Sequence, residues 1–160
     1  MSKLSAGLLV YRSTIGRLEV LLVHPGGPYW TKRDDGAWSV PKGEYEADED
    51  PLQVAMREFR EELGLDPPSD RQPVFLGESR QPSGKRVSVW ALNGDIDVRV
   101  VHSNTFTMEW PPRSGRKGEF PEVDRAAWFE EAAARRKILP GQIPFIDRLF
   151  ELLQDSSKLS

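Results

Sequence analysis

From Gly43 to Leu65 the chain reads GEYEADEDPLQVAMREFREELGL. Asp50, Pro51 and Gln53 mark a helix start: an N-cap, a proline at the first helical position and a capping-box partner. Gly64 marks its end, with Pro67 and Pro68 just beyond. At about 100° per residue, Leu52, Ala55, Met56, Phe59 and Leu63 share an apolar face, while Glu58, Glu61 and Glu62 cluster on another. Like charges three and four residues apart repel, by roughly a few tenths of a kcal/mol per pair in an isolated helix. A helix selected only for stability would interleave lysines there, so a cation is expected against this face. Oxygen-only ligands at close range suit a hard divalent ion, Mg²⁺ first and Mn²⁺ second, which also takes water and substrate phosphate oxygens. Arg57, four residues before Glu61, is placed to orient that carboxylate, and Glu49 to brace Arg57. The plain alternative is three glutamates that solvate an exposed face.

Working outward, Ser5 to Tyr11 and Leu18 to Val23 read as two strands joined by a turn. HPGGPYWTKRDDG, His24 to Gly36, is too long for a tight turn and reads as a functional loop. Trp38 to Val40 reads as a brief strand and Pro41 to Glu49 as an irregular approach to the helix. Val74 to Glu78, Arg86 to Leu92 and Val98 to His102 read as strands, Ser103 to Glu122 as a loop with structured patches, and Arg125 to Phe129 as a closing strand. Glu130 to Lys137 has helical composition. After Pro140 and Gly141, Ile143, Ile146, Leu149, Phe150 and Leu153 form a second helical stripe. The polar tail from Gln154 is expected to fray.

A chain of 160 residues fits one domain, here residues 1–160, able to bury a core without a staple. It has no cysteine, which removes disulfides, zinc-thiolate sites and cysteine nucleophiles together. With 29% charged residues and a formal net charge of -3 there is no global positive field for a nucleic acid backbone, so RNA is an unexpected partner and phosphate binding must be local. No apolar run approaches the length needed to span a bilayer, so no membrane partner and a cytoplasmic setting are expected. No serine lies in a nucleophile elbow, and His24 and His102 read as polar loop residues without a triad partner.

Gly43, then five residues to Glu49, then seven to Arg57, Glu58, Phe59, Arg60, Glu61, Glu62, Leu63, Gly64 and Leu65 resembles the Nudix box, Gx5Ex7REUxEExGU. The one departure in kind is Phe59, where the family more often has an aliphatic residue, a matter of packing. The WSVPKGE run, Trp38 to Glu44, and the early hairpin extend the likeness. The resemblance implies an α+β fold, an α/β/α sandwich with a mixed β-sheet, and Mg²⁺-dependent hydrolysis of a nucleoside diphosphate linked to another group. It implies Glu58, Glu61 and Glu62 as metal ligands, a carbonyl ligand near Lys42 and Gly43, and Glu49 and Arg57 as a supporting pair. The general base varies across the family: Glu58 is one candidate, and Glu119 and Glu122 are the loop candidates. WSVPKGE is similar to the corresponding stretch of Nudix diadenosine-polyphosphate hydrolases, which points first to dinucleoside polyphosphates and then to nucleoside triphosphates, with sugar nucleotides open. A Nudix-fold module that binds a nucleotide without cutting it is the rival.

Phosphate contacts are expected from Lys42, Lys32 and Arg33, which flank the helix in sequence. Tyr29 and Trp30 are candidates to stack on a base, whereas Trp38, next to Val40, reads as core. Arg135, Arg136 and Lys137 read as complements to a helix C-terminus.

Overall fold

The computed structural model describes residues 3–154. Strands β1 (Leu4–Thr14) and β2 (Arg17–Pro25) form an antiparallel hairpin, turned at Ile15 and Gly16 with φ of 51° and 74°. Positive φ at both central residues matches the right-handed twist of the flanking strands. β1 is central because it can be buried on both faces: Leu8 and Val10 point one way, Leu9 and Tyr11 the other, and all are buried.

The remaining strands are β3 (Lys42–Tyr45), β4 (Val74–Arg80), β5 (Arg86–Asn93), β6 (Thr105–Glu109), β7 (Lys117–Pro121) and β8 (Val123–Glu130). The main sheet runs β4-β5-β1-β2-β8, with β3 paired to the first residues of β1. β1 and β5 are parallel and the other pairs antiparallel, so the sheet is mixed. Helix α1 (Pro51–Leu63) covers one face through Val54, Ala55, Phe59 and Leu63. Helices α2 (Glu131–Lys137) and α3 (Ile143–Gln154) cover the other through Ala134, Phe145, Ile146 and Leu149. The expected α/β/α sandwich is what forms. Phe59 is fully buried, a contribution of about 1.5–3 kcal/mol by apolar burial, so the aromatic departure is absorbed in packing.

The structure differs from the sequence reading in five places. The approach to α1 contains β3, because Lys42 to Tyr45 finds the free edge that β1 offers beyond the end of β2. Asp50 is the N-cap, but its side chain makes no capping bond and Gln53 is exposed, so proline at the first position stands without a capping box. Trp38 to Val40 makes only isolated bridges, Trp38 with Ile138 and Ser39 with Val23. Val98–Val100 is a 3-10 turn, set by the Asp97 carboxylate accepting the Arg99 N–H at 2.9 Å. The stretch read as a loop from Ser103 holds a two-stranded ribbon, β6 against β7, with Phe106 opposite Phe120. The tail beyond residue 154 lies outside the described residues.

Candidate active site

The acidic face of α1 looks toward β3 and toward the segment that enters β8. Glu58 lies directly over Gly43, where a Cβ would come within 2.0 Å of the Glu58 carboxyl carbon, so any larger residue displaces the Glu58 side chain. Arg57 donates to Glu49 at 3.3 Å and stands 3.8 Å from Glu58. It therefore bridges the approach loop to Glu58, not to Glu61 as the spacing implied, because Glu49 draws the guanidinium toward the start of the helix. Glu49 also accepts the Glu46 N–H at 2.9 Å, and this bond, with Arg57, holds its pKa below the usual carboxylate range.

Glu62 accepts the Lys42 N–H at 2.8 Å, yet burial outweighs this and pushes its carboxyl up to about 8. Glu58 is also raised, by burial first and then by the neighbouring Glu61, with Arg57 opposing. Glu122 is raised by burial and by Glu61. The four carboxylates thus feel one another at one mouth. Among the described residues, no three acidic or histidine side chains are placed to hold one metal ion, and the Glu62 carboxylate is engaged by the Lys42 N–H. The expected single ion space is therefore not formed by these side chains as they stand, although Glu58, Glu61, Glu62 and Glu122 remain electrostatic neighbours. Oxygen donors only, mutual repulsion and the Gly43 cradle fit a hard divalent cation.

Of the two loop candidates, the fold brings only Glu122 to this mouth. Asn104 donates its N–H to the Glu61 carbonyl and accepts the Glu122 N–H, both at 2.9 Å, so Glu122 is tied to the end of α1. Glu119 is exposed on β7, opposite Thr107. A cavity of about 210 Å³ opens beside the acidic face, lined by Trp30, Ser39, Lys42, Glu62, Glu122 and Leu139 among others. Two larger depressions, of about 460 and 480 Å³, contain no residue of α1.

Lys42 lines the site, and its ammonium is lowered by burial and by the neighbouring Lys85, a cation without any sequence signal. Lys32 and Arg33 are exposed and do not line the cavity, and the Arg33 guanidinium lies 5.4 Å from the Trp30 ring centre. Trp38 is core, with its indole N–H donated to Asp34 at 2.8 Å. Arg135 pairs with Glu131 and Asp147, Arg136 with Asp35, and Lys137 with Asp34 and Asp35, so this run is structural. His24 is buried rather than a loop residue, with Nδ1 2.8 Å from Asp124 and Nε2 2.6 Å from the Arg33 carbonyl. Both ring nitrogens are occupied, which leaves none to activate a serine.

The family model for the NUDIX domain matches residues 1–149. A Caenorhabditis elegans protein named bis(5'-nucleosyl)-tetraphosphatase (asymmetrical) is 27% identical over 106 residues, 62% of this chain and 72% of the relative. An RNA pyrophosphohydrolase of Marinomonas sp. is 35% identical over 71 residues, but that match spans only 44% of this chain and 41% of the relative. Among solved structures, a C. elegans Ap4A hydrolase binary complex superposes with a TM-score of 0.63 at 24% identity, over 94% of this chain and 98% of that one, a likeness of fold. With the family model matched along nearly the whole sequence, this chain belongs to the Nudix family.

Proposed function

We propose that the chain is a Mg²⁺-dependent Nudix pyrophosphohydrolase that cuts the diphosphate linkage of a nucleoside diphosphate joined to another group, in the cytoplasm. Dinucleoside polyphosphates are the first substrate class and nucleoside triphosphates the second. The observation that carries this is a cavity lined by Glu62, Glu122 and Lys42, with Glu58 and Glu61 as electrostatic neighbours of those carboxylates and Lys85 as a neighbour of Lys42. Nudix hydrolases generally use divalent ions; here Glu58, Glu61 and Glu62, with the Gly43 carbonyl, would hold Mg²⁺ or Mn²⁺, which would offset phosphate charge and acidify a water. Lys42 and Lys85 hold phosphate oxygens. Glu122 is the base: its carboxylate adjoins Glu61, and burial already raises its affinity for a proton.

The asymmetrical tetraphosphatase relative, matched along 72% of its length, supports the dinucleoside class. A module that binds without cutting is disfavoured by four mutually repelling carboxylates, which only a cationic function repays. Turnover of diadenosine tetraphosphate, ATP and ADP-ribose with Mg²⁺, by wild type and by Glu62→Gln, tests the reading. Release of two nucleotide products from diadenosine tetraphosphate by wild type and a loss of about 100-fold or more in the variant are expected. No cleavage of any of the three, or an unchanged variant, overturns it.

A further inference from the structure

Arginines and lysines of this protein mostly end against carboxylates, as Arg12 does on Asp95 at 2.7 Å and Arg86 on Glu78 at 2.8 Å. Among the described residues, Lys42, Arg71, Arg80 and Arg148 stand singly without a carboxylate at ion-pair distance, while five more such cations gather in two segments: Lys32 and Arg33 on the 26–36 loop, and Arg113, Arg116 and Lys117 at the ribbon tip. Glu109 stands opposite Lys117 in the ribbon register, but its carboxylate accepts the Arg113 N–H at 2.7 Å instead.

The same two segments carry aromatic rings that the core does not use. Tyr29 is 57% exposed and meets Trp110 edge-on at 5.3 Å. Docking of the ribbon is done by other residues: Phe106 packs beside Gly27, and Gly26 donates its N–H to the Glu122 carbonyl at 3.0 Å. Trp110 donates its N–H to the Arg116 carbonyl at 2.9 Å, which holds that ring beside the cationic tip. Trp30, next to Tyr29, lines the cavity with Glu62 and Glu122. The aromatic and cationic rim therefore begins where the catalytic cavity ends. That cavity has a volume of about 210 Å³.

We propose that Tyr29 and Trp110, flanked by Arg113, Arg116 and Lys117, form a binding platform for the second nucleotide of a dinucleoside polyphosphate whose scissile diphosphate lies at the acidic helix. Ring faces accept a base by stacking, and unpaired guanidinium and ammonium groups take the distal phosphates. The overall charge of -3 does not oppose this, since exposed charges act over about 10 Å at ordinary ionic strength. The class of ligand rests on the reading under Proposed function, and the test separates the two.

Binding of the non-hydrolysable methylene analogues of diadenosine tetraphosphate and of ATP is measured with Mg²⁺, by calorimetry, in wild type, Trp110→Ala, Trp110→Phe and Arg113→Glu/Arg116→Glu. This readout needs no turnover, so it stands apart from the cleavage assay. Wild type is expected to prefer the dinucleotide. That preference is expected to fall about 10-fold or more in Trp110→Ala and in the charge-reversed pair, and to return in Trp110→Phe. The charge-reversed pair, at exposed positions, keeps the test should Trp110→Ala disturb the ribbon. An equal loss for both analogues, or none, overturns the proposal. With 5′-triphosphorylated RNA titrated as a third ligand, a loss confined to the RNA also overturns it and would make the rim a strand-binding surface.

Discussion

Glu58 rests on the bare backbone of Gly43: a methyl group there would lie 2.0 Å from its carboxyl carbon and 2.4 Å from Oε1. Glycine at the head of the box therefore does a spatial job, letting a strand backbone and a helix carboxylate share one small volume. Gly43→Ala is expected to push Glu58 off its seat while leaving the half-buried edge of β3 folded. Turnover should fall about 100-fold, the scale on which a shift of roughly 1 Å acts, with little change in melting temperature. Steady-state kinetics beside a thermal melt decide it; an alanine variant as active as wild type would mean that Glu58 does not work from this position.

Glu122 and Glu119 are three positions apart, but Glu119 points to solvent from β7 while Glu122, just beyond its end, is tied through Asn104 to α1. Glu122→Gln is expected to lower kcat by about 100-fold to 10,000-fold, the range for a lost general base, and Glu119→Gln by less than about 2-fold. Measured kcat for both variants settles which carboxylate takes the proton. Equal effects would return the role to Glu58.

Glu62 ties activity to pH through stability. Its carboxyl binds a proton more tightly in the fold, at about 8, than in the unfolded chain at 4.5. That contribution is fully present below pH 4.5 and is lost as pH rises through about 8. In EDTA the melting temperature of wild type is expected to fall across this window, and Glu62→Gln, which cannot ionise, to flatten the slope. Glu58 and Glu122, raised for the same reason, act in the same direction. A wild-type curve that climbs through the window would refute the buried, unbalanced carboxylate.

The acidic helix was legible because its information is local: Pro51 and Gly64 set the ends, and the 3.6-residue period separates apolar Phe59 and Leu63 from Glu58 and Glu61. What surrounds the helix was not legible, because it is made by pairings distant in sequence. Lys85 reaches Lys42 only through the parallel pairing of β5 with β1, and Glu122 reaches Glu61 only through Asn104. β6 alternates without a glycine or proline but is only five residues long, and Gly118 and Pro121 weaken the pattern of β7, so the pairing that puts Phe106, Met108, Gly118 and Phe120 on one half-buried face was not legible. His24 resembled a loop residue beside Pro25, and only β8 supplies the Asp124 that makes its burial tolerable.

Gln142 gives the last prediction. It is fully buried, accepts the Val40 N–H at 2.9 Å and donates to the Ser39 hydroxyl at 3.0 Å. Two residues on, the Lys42 N–H holds Glu62. The turn before α3 therefore fixes the segment that leads into β3 and the acidic face of α1 from the opposite side of the sheet. Gln142→Leu keeps the volume but strands a buried N–H, which should cost about 1–3 kcal/mol of stability by denaturant unfolding. If the strand loosens as well, kcat falls while KM for the nucleotide stays near wild type, because the carboxylate set moves and the rim around Trp30 does not. A variant that loses stability alone would limit Gln142 to packing, and one that loses neither would contradict the hydrogen bonds on which the strand's position depends.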